Sequence, residues 1–213
     1  MHIVHFGHAC VLLDTGSARL LIDPGTLSTG FEQTEGLDAV LITHQHFDHL
    51  DRDRLPALLA ANPGAKLVVD ADSVAIVQEL GLDHTVATAG DKLSFAGATV
   101  DVIGGRHADI YNGLPGITNV GYLVDGGAFL HPGDSFARPD GEVDVLGVPE
   151  SAPWLKLAEV LDYVQAVRPR VGVPIHEGLH NDLGHMLTEN WLGNTKPEGT
   201  EIVRLAHGEA TKV

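Results

Sequence analysis

The segment Thr43-His44-Gln45-His46-Phe47-Asp48-His49 crowds three imidazoles and a carboxylate together directly after the apolar run Ala39-Val40-Leu41-Ile42. Neutral imidazole and carboxylate are the donor mixture that zinc and its first-row neighbours accept, so the segment reads as a metal site. At strand-like spacing His44, His46 and Asp48 project to one side, while His49 begins to turn away. That divergence suits two adjacent ions better than one. The alternative is a polar loop with unrelated histidines, which leaves the crowding without a reason.

Further donors are found where other apolar runs end. His107 follows residues 99–103 through Gly104-Gly105-Arg106, Asp134 closes His131-Pro132-Gly133-Asp134 after residues 128–131, and His176 follows residues 171–175. If those ends converge on one edge, His44, His46 and His107 would hold one ion and Asp48, His49 and His176 another, with Asp134 bridging. Position alone leaves each of these three late residues undecided between ligand and bystander.

The elements that must carry these side chains follow from periodicity and turn residues. Runs 2–6, 9–14 and 18–23, separated by Gly7-His8 and Thr15-Gly16-Ser17, predict an antiparallel meander. Asp23-Pro24-Gly25 ends it, and the Gly/Thr/Ser-rich stretch 26–36, with Phe31 its one large apolar residue, is a loop that could overhang a site. Residues 37–43 form the strand that delivers the cluster. Asp51 or Asp53 then caps a helix bearing Leu55, Leu58 and Leu59, which Asn62-Pro63-Gly64 ends. A strand at 66–70 and a helix at 72–80 follow. Strands are predicted at 92–95, 99–103, 119–124, 128–131 and 143–148, with Asp125-Gly126-Gly127 supplying the positive φ of a tight hairpin. The clearest helix runs from Trp154 to residue 167, with Pro153 near its start and Leu157, Val160, Leu161 and Val164 on one face. A strand at 170–175, a weaker helix at 182–192 and a closing strand at 201–205 complete the chain. Two β-rich halves, each followed by helices, predict an α/β protein with two sheets face to face and helices outside. With no linker or short repeat in 213 residues, one domain spanning 1–213 is expected.

Composition narrows the partners. A formal net charge of −16 repels phosphate backbones, which argues against nucleic-acid or anionic-membrane binding and favours a compact acyl or phosphoryl substrate. No run is long and apolar enough to span a bilayer, and Met1-His2-Ile3-Val4 lacks the character of a secretory signal, so a cytoplasmic location is expected. Cys10, the one cysteine, cannot form an internal disulfide and reads as a small buried apolar residue. Association into a homo-oligomer is left open.

The pattern His44-x-His46-x-Asp48-His49, followed by His107, Gly133-Asp134 and His176, resembles the metallo-β-lactamase superfamily. The resemblance runs over nearly the whole chain. It implies an αβ/βα four-layer sandwich, with Asp23 of Leu21-Ile22-Asp23-Pro24 supporting the site from behind. Gly7-His8-Ala9 and His46-Phe47-Asp48-His49-Leu50-Asp51 further resemble a small-enzyme branch that includes ascorbate-6-phosphate lactonase-like and N-acylphosphatidylethanolamine phospholipase D-like proteins. The antibiotic-hydrolysing β-lactamases instead have a cysteine at the position of Asp134 and usually an arginine at that of His49. Flavodiiron oxidoreductases carry a glutamate in place of His46, glyoxalase II-like enzymes have a longer C-terminal helical region, and RNA-processing relatives need a basic exosite.

The expected activity is therefore a binuclear metal-dependent hydrolase in which a metal-bridging hydroxide attacks a small ester, lactone or phosphodiester. Two divalent ions are implied, Zn2+ first, with Mn2+ or Fe2+ accepted by the same donors. Asp48 would be ligand and proton acceptor. The resemblance places His8 beneath the mouth of the site, either as a second catalytic candidate touching substrate or as a hydrogen-bonded turn histidine. Two other functions compete: a phosphodiesterase of nucleotides or lipids, and a metal-binding or sensing protein without turnover, which a complete ligand set disfavours. His131 is either a support for Asp134 or a strand-end residue. His180 and His185, just after His176, either line the pocket or, the favoured reading, are exposed; Tyr111 and Asn112 read as a surface loop that could shape specificity, and His2, His5, His84 and His207 as ordinary histidines.

Overall fold

Alternate residues of a strand face opposite sides of its sheet, and the apolar residues here are sorted by that rule. In the computed structural model, which describes residues 1–112, 114 and 116–213, β1 (His2–His5), β2 (Val11–Asp14), β3 (Arg19–Ile22), β4 (Ala39–Leu41), β5 (Lys66–Val69) and β6 (Thr85–Val86) lie in one mixed sheet. The second sheet holds β7 (Lys92–Phe95), β8 (Ala98–Gly104), β9 (Val120–Val124), β10 (Phe129–His131), β11 (Val145–Pro149), β12 (Val171–Ile175) and β13 (Glu201–Ile202). The chain then returns, as β14 (Ala210–Lys212), to pair with β1 and make the first sheet seven-stranded too.

Ile3, Leu13, Leu20, Ile22 and Leu41 of the first sheet pack against Val100, Val102, Tyr122, Phe129 and Val173 of the second. Their neighbours in sequence, Leu12, Leu21, Val40 and Leu67, face outward onto Leu55 and Leu58 of α1 (Leu55–Ala61) and Val77 of α2 (Val74–Glu79). Leu123, Leu130, Leu146 and Val148 similarly cover Val160 and Val164 of α3 (Leu157–Val167) and Leu192 of α4 (Asp182–Thr195). Helix, sheet, sheet and helix thus stack as the four layers of an αβ/βα sandwich.

Strand direction positions the site. Because β1 and β3 each run antiparallel to β2, and β3, β4 and β5 are parallel, β1, β3, β4 and β5 all point one way. In the second sheet β8, β10, β11 and β12 share a direction by the same logic. The residues that follow these strands are His8, Asp23, His44 to His49, His107, Asp134, Glu150 and His176. They gather at one edge, beyond the carboxyl ends of the strands, where open α/β sheets place their ligands. Tyr122 donates its hydroxyl to the Ile42 carbonyl at 2.7 Å, and the Val120 N–H reaches the Thr43 carbonyl at 2.9 Å, so the sheets are pinned together beside the cluster.

Three expectations need correction. Helix α3 starts at Leu157, not Trp154, because residues 151–156 turn inward and carry the indole to the site. The last expected strand is only Glu201–Ile202, while β14 was not predicted; it is short, exposed and polar, so no apolar pattern marks it. The stretch 26–36 does not overhang the site as a whole. Its Phe31 is buried in the α1 layer with the Arg54 guanidinium 4.5 Å above the ring, and only its Leu27 end reaches the site's rim, 3.2 Å from the position a Gly178 Cβ would take.

Candidate metal centre

Backbone conformation at the site is unusual before any side chain is considered. His8 (φ 50°), Asp23 (φ 51°) and His176 (φ 60°) are all left-handed, a conformation that costs a non-glycine residue on the order of 1–3 kcal/mol and clusters at functional sites. Close approach adds a second constraint. A Cβ on Gly133 would stand 2.3 Å from Asn119 Oδ1 and 2.8 Å from Thr43, so only glycine lets the segment bearing Asp134 pass that close to the segment bearing His44.

The donors fall into two groups. His44 Nε2, His46 Nδ1 and His107 Nε2 converge with Asp134, and Asp48, His49 and His176 converge with it from the other side. Asp134 Oδ1 lies 3.0 Å from both His49 Nε2 and His176 Nε2, while Oδ2 lies 3.3 Å from His107 Nε2 and 4.0 Å from His44 Nε2. One carboxylate therefore faces both groups. Asp48 Oδ2 is 3.6 Å from His176 Nε2 and 4.0 Å from His49 Nε2.

Partners behind the rings fix which nitrogen points inward. His49 Nδ1–H donates to Asp23 Oδ2 at 2.7 Å, His107 Nδ1–H to the Ala108 carbonyl at 2.6 Å and His176 Nδ1–H to the Ser151 carbonyl at 2.5 Å. Thr43 ties Asp23 in place, donating N–H to Oδ1 and its hydroxyl to Oδ2, both at 2.7 Å, and its oxygen takes His44 Nδ1–H at 3.0 Å. Each such proton leaves an Nε2 lone pair directed at the centre. His49 Nε2, His107 Nε2, His176 Nε2 and Asp134 Oδ1 are buried with no hydrogen-bond partner. Buried polar atoms without partners are costly, and inward lone pairs whose rings are held from behind are what a divalent ion requires. The residues fit bound divalent metal.

Electrostatics agree. Burial and the neighbouring His49 imidazole hold His44 well below its ordinary range, so it is a neutral donor. Burial would raise the Asp48 carboxyl, but the His8 hydrogen bond and the His49 and His176 imidazoles bring it down to about 2. Asp134 is likewise held low against its burial by His49 and His176. Those two imidazoles are pushed up despite burial, chiefly by Asp134. A divalent ion held by these donors would supply the positive charge that the two carboxylates call for.

His8 has a different role from the other histidines. The Gly178 N–H donates to its Nδ1 at 3.1 Å, so the neutral ring carries its proton on Nε2, 3.0 Å from Asp48 Oδ2. It grips Asp48 instead of offering a lone pair, and it is buried. Sequence reading missed what holds it. The His8 N–H donates to Glu177 Oε1 at 2.9 Å, and His207, which reads from sequence as ordinary, bonds the same oxygen at 3.0 Å; His5 stands 3.6 Å from Oε2. Trp154 was also missed: its Nε1–H donates to Asp134 Oδ2 at 2.7 Å. His131 supports Asp134 only through the backbone, since Nδ1 accepts the Gly133 N–H at 3.2 Å and Nε2 bonds the Ala9 carbonyl. His180 and His185 are partly buried against Glu150, not free on the surface. Tyr111 lines a cleft of about 70 Å³ with Ile110, Leu114, His46 and His107; Gly113 and Pro115 of that loop lie outside the described residues.

The chain is similar to known proteins. A family model described as a beta-lactamase superfamily domain matches residues 2–176. Protein Rv0786c of Mycobacterium tuberculosis is 46% identical over 183 residues, covering 84% of this chain and 85% of that one. A UPF0173 metal-dependent hydrolase of Aeropyrum pernix is 29% identical over 201 residues, covering 83% and 82%. The structure of Igni18, a metallo hydrolase of Ignicoccus hospitalis, aligns with a TM-score of 0.72 at 20% identity over 99% of this chain and 97% of the other. With the family model spanning most of its length, the chain belongs to the metallo-β-lactamase superfamily.

Proposed function

We propose that this metal-dependent hydrolase binds two divalent ions, Zn2+ first among Zn2+, Mn2+ and Fe2+, and cleaves a small ester, lactone or phosphodiester. His44, His46 and His107 would hold one ion and Asp48, His49 and His176 the other, with Asp134 shared. The observation that carries this reading is the Asp134 carboxylate, whose Oδ1 faces His49 and His176 while its Oδ2 faces His107 and His44. When bound, such a pair supplies Lewis acidity and a water of lowered pKa.

The chain's own groups do the rest. Asp48 Oδ2, held by the His8 Nε2–H, is oriented to accept a proton from the attacking water at one fixed position. His8 acts through Asp48 and is a positioning residue, where sequence alone made it a candidate for substrate contact. Asp23 and Thr43 keep His49 and His44 in their tautomers while charge changes in front of them. Tyr111, 73% exposed, with Ile110 and Leu114 gives the cleft beside His46 and His107 an apolar wall that suits an acyl or alkyl substituent. Burial of the lone Cys10 is compatible with a reducing, cytoplasmic setting.

The test is hydrolysis by metal-stripped and reloaded protein across lactones, thioesters, simple esters and bis-(p-nitrophenyl) phosphate. Activity on at least one class should return with metal and fall more than about 100-fold in His46→Ala. Equal turnover by that variant would overturn the site, and saturation with a single ion would overturn the pair.

A further inference from the structure

Glu150 follows β11 directly, and its side chain is fully buried. Its Oε2 lies 3.5 Å from His185 Nδ1 and 4.0 Å from His180 Nδ1. Both nitrogens are buried and lack a hydrogen-bond partner, and the two rings meet edge to face at 5.4 Å. These gaps exceed the roughly 2.7–3.2 Å of a hydrogen bond. They approach the roughly 3.4 Å that separates two donors on a tetrahedral Zn2+ with bonds of about 2.0–2.1 Å. We propose that Glu150, His180 and His185 form a further divalent-cation site, suited to Zn2+ and separate from the pair.

The local sequence builds the cradle. Asn181 caps α4 by accepting the Gly184 N–H at 3.0 Å, which sets His180 just before the helix and His185 in its first turn. A Cβ on Gly184 would come within 3.0 Å of the His180 ring, so glycine lets that ring lie against the helix. Arg204 Nη2 donates to both Glu150 oxygens at 2.7 Å, fixing the carboxylate while leaving Oε2 a free lone pair. Its Nε also binds Glu189. Two carboxylates against one guanidinium leave the neighbourhood anionic, which favours a cation. An ion there would tie α4 to the end of β11 and brace the segment leading away from His176.

The test is Zn2+ uptake by the stripped, full-length protein, counted by elemental analysis after desalting, in the parent and in His180→Asn/His185→Asn. The double variant should retain one fewer Zn2+ per chain and show a smaller Zn2+-induced rise in Tm. Should circular dichroism show that it does not fold, His185→Gln is counted in the same way. His46→Ala damages only the pair, so the difference between parent and double variant should persist on that background. Equal uptake with and without the two histidines overturns the proposal.

Discussion

Trp154 donates its indole N–H to the oxygen of Asp134 that faces His44 and His107, and it is 8% exposed. Replacing it with Phe keeps an aromatic ring against Phe136 while removing the donor. Partners of this kind typically contribute about 10–100-fold to metal affinity or activity. Trp154→Phe should therefore weaken metal binding about 10-fold or more, read by competition with a chromophoric chelator; unchanged affinity would show that the indole only fills space. For His8, exchange to Phe removes the Nε2–H that grips Asp48. Its kcat is expected to fall more than its KM rises, because the lost contact orients a proton acceptor and does not bind substrate. The six-residue cluster is legible in sequence because its donors are adjacent. Trp154 and Glu177 are not, since each acts across long sequence separations, and an indole at a helix start looks like any apolar residue.

At the scale of elements, the turn after β3 and the segment after β4 touch through their backbones. A Cβ on Gly25 would sit 1.8 Å from the Asp48 carbonyl oxygen and 2.5 Å from the His49 nitrogen. Gly25→Ala must displace the segment bearing Asp48 and His49, at a cost of about 1–3 kcal/mol or more. Tm should drop by roughly 2–12 °C, and metal affinity should fall with it. A variant of parental Tm and affinity would show that the two turns move apart freely. Arg54 secures the same region, donating to Asp51, to the Ser28 and Gly25 carbonyls and to Glu32. A lysine has one point of attachment and cannot span these partners, so Arg54→Lys should make the 25–34 loop more susceptible to proteolysis, as followed by mass spectrometry. Most strands were readable from alternation. The exceptions are revealing: β14 is recruited by pairing with β1 and carries no core residue, and Trp154 was counted into α3 because its apolar neighbours extend the helical pattern by one turn.

Over the whole molecule, the sandwich keeps its ionisable interior at one edge, and that edge should be the part of the fold most sensitive to metal. Ions present at about 100 times their Kd stabilise by about 2.7 kcal/mol per site, which corresponds to a rise in Tm of roughly 5–11 °C per site for a chain of this size. Calorimetry of stripped and reloaded protein checks this, and an unchanged Tm would mean that no ion binds the folded state preferentially. Two sheets face to face with helices outside were legible in the order of the elements, whereas the individual contacts that pin them, such as Tyr122 with Ile42, were not, because no local pattern encodes them. The chain crosses between sheets only through the short turn between β6 and β7 and again on the way to β14. His44 to His49 lie before the first crossing; His107, Asp134 and His176 lie after it. A polypeptide severed in that first turn would thus become two fragments, each with an incomplete set of donors, and the concentration of divalent metal should set how tightly they recombine.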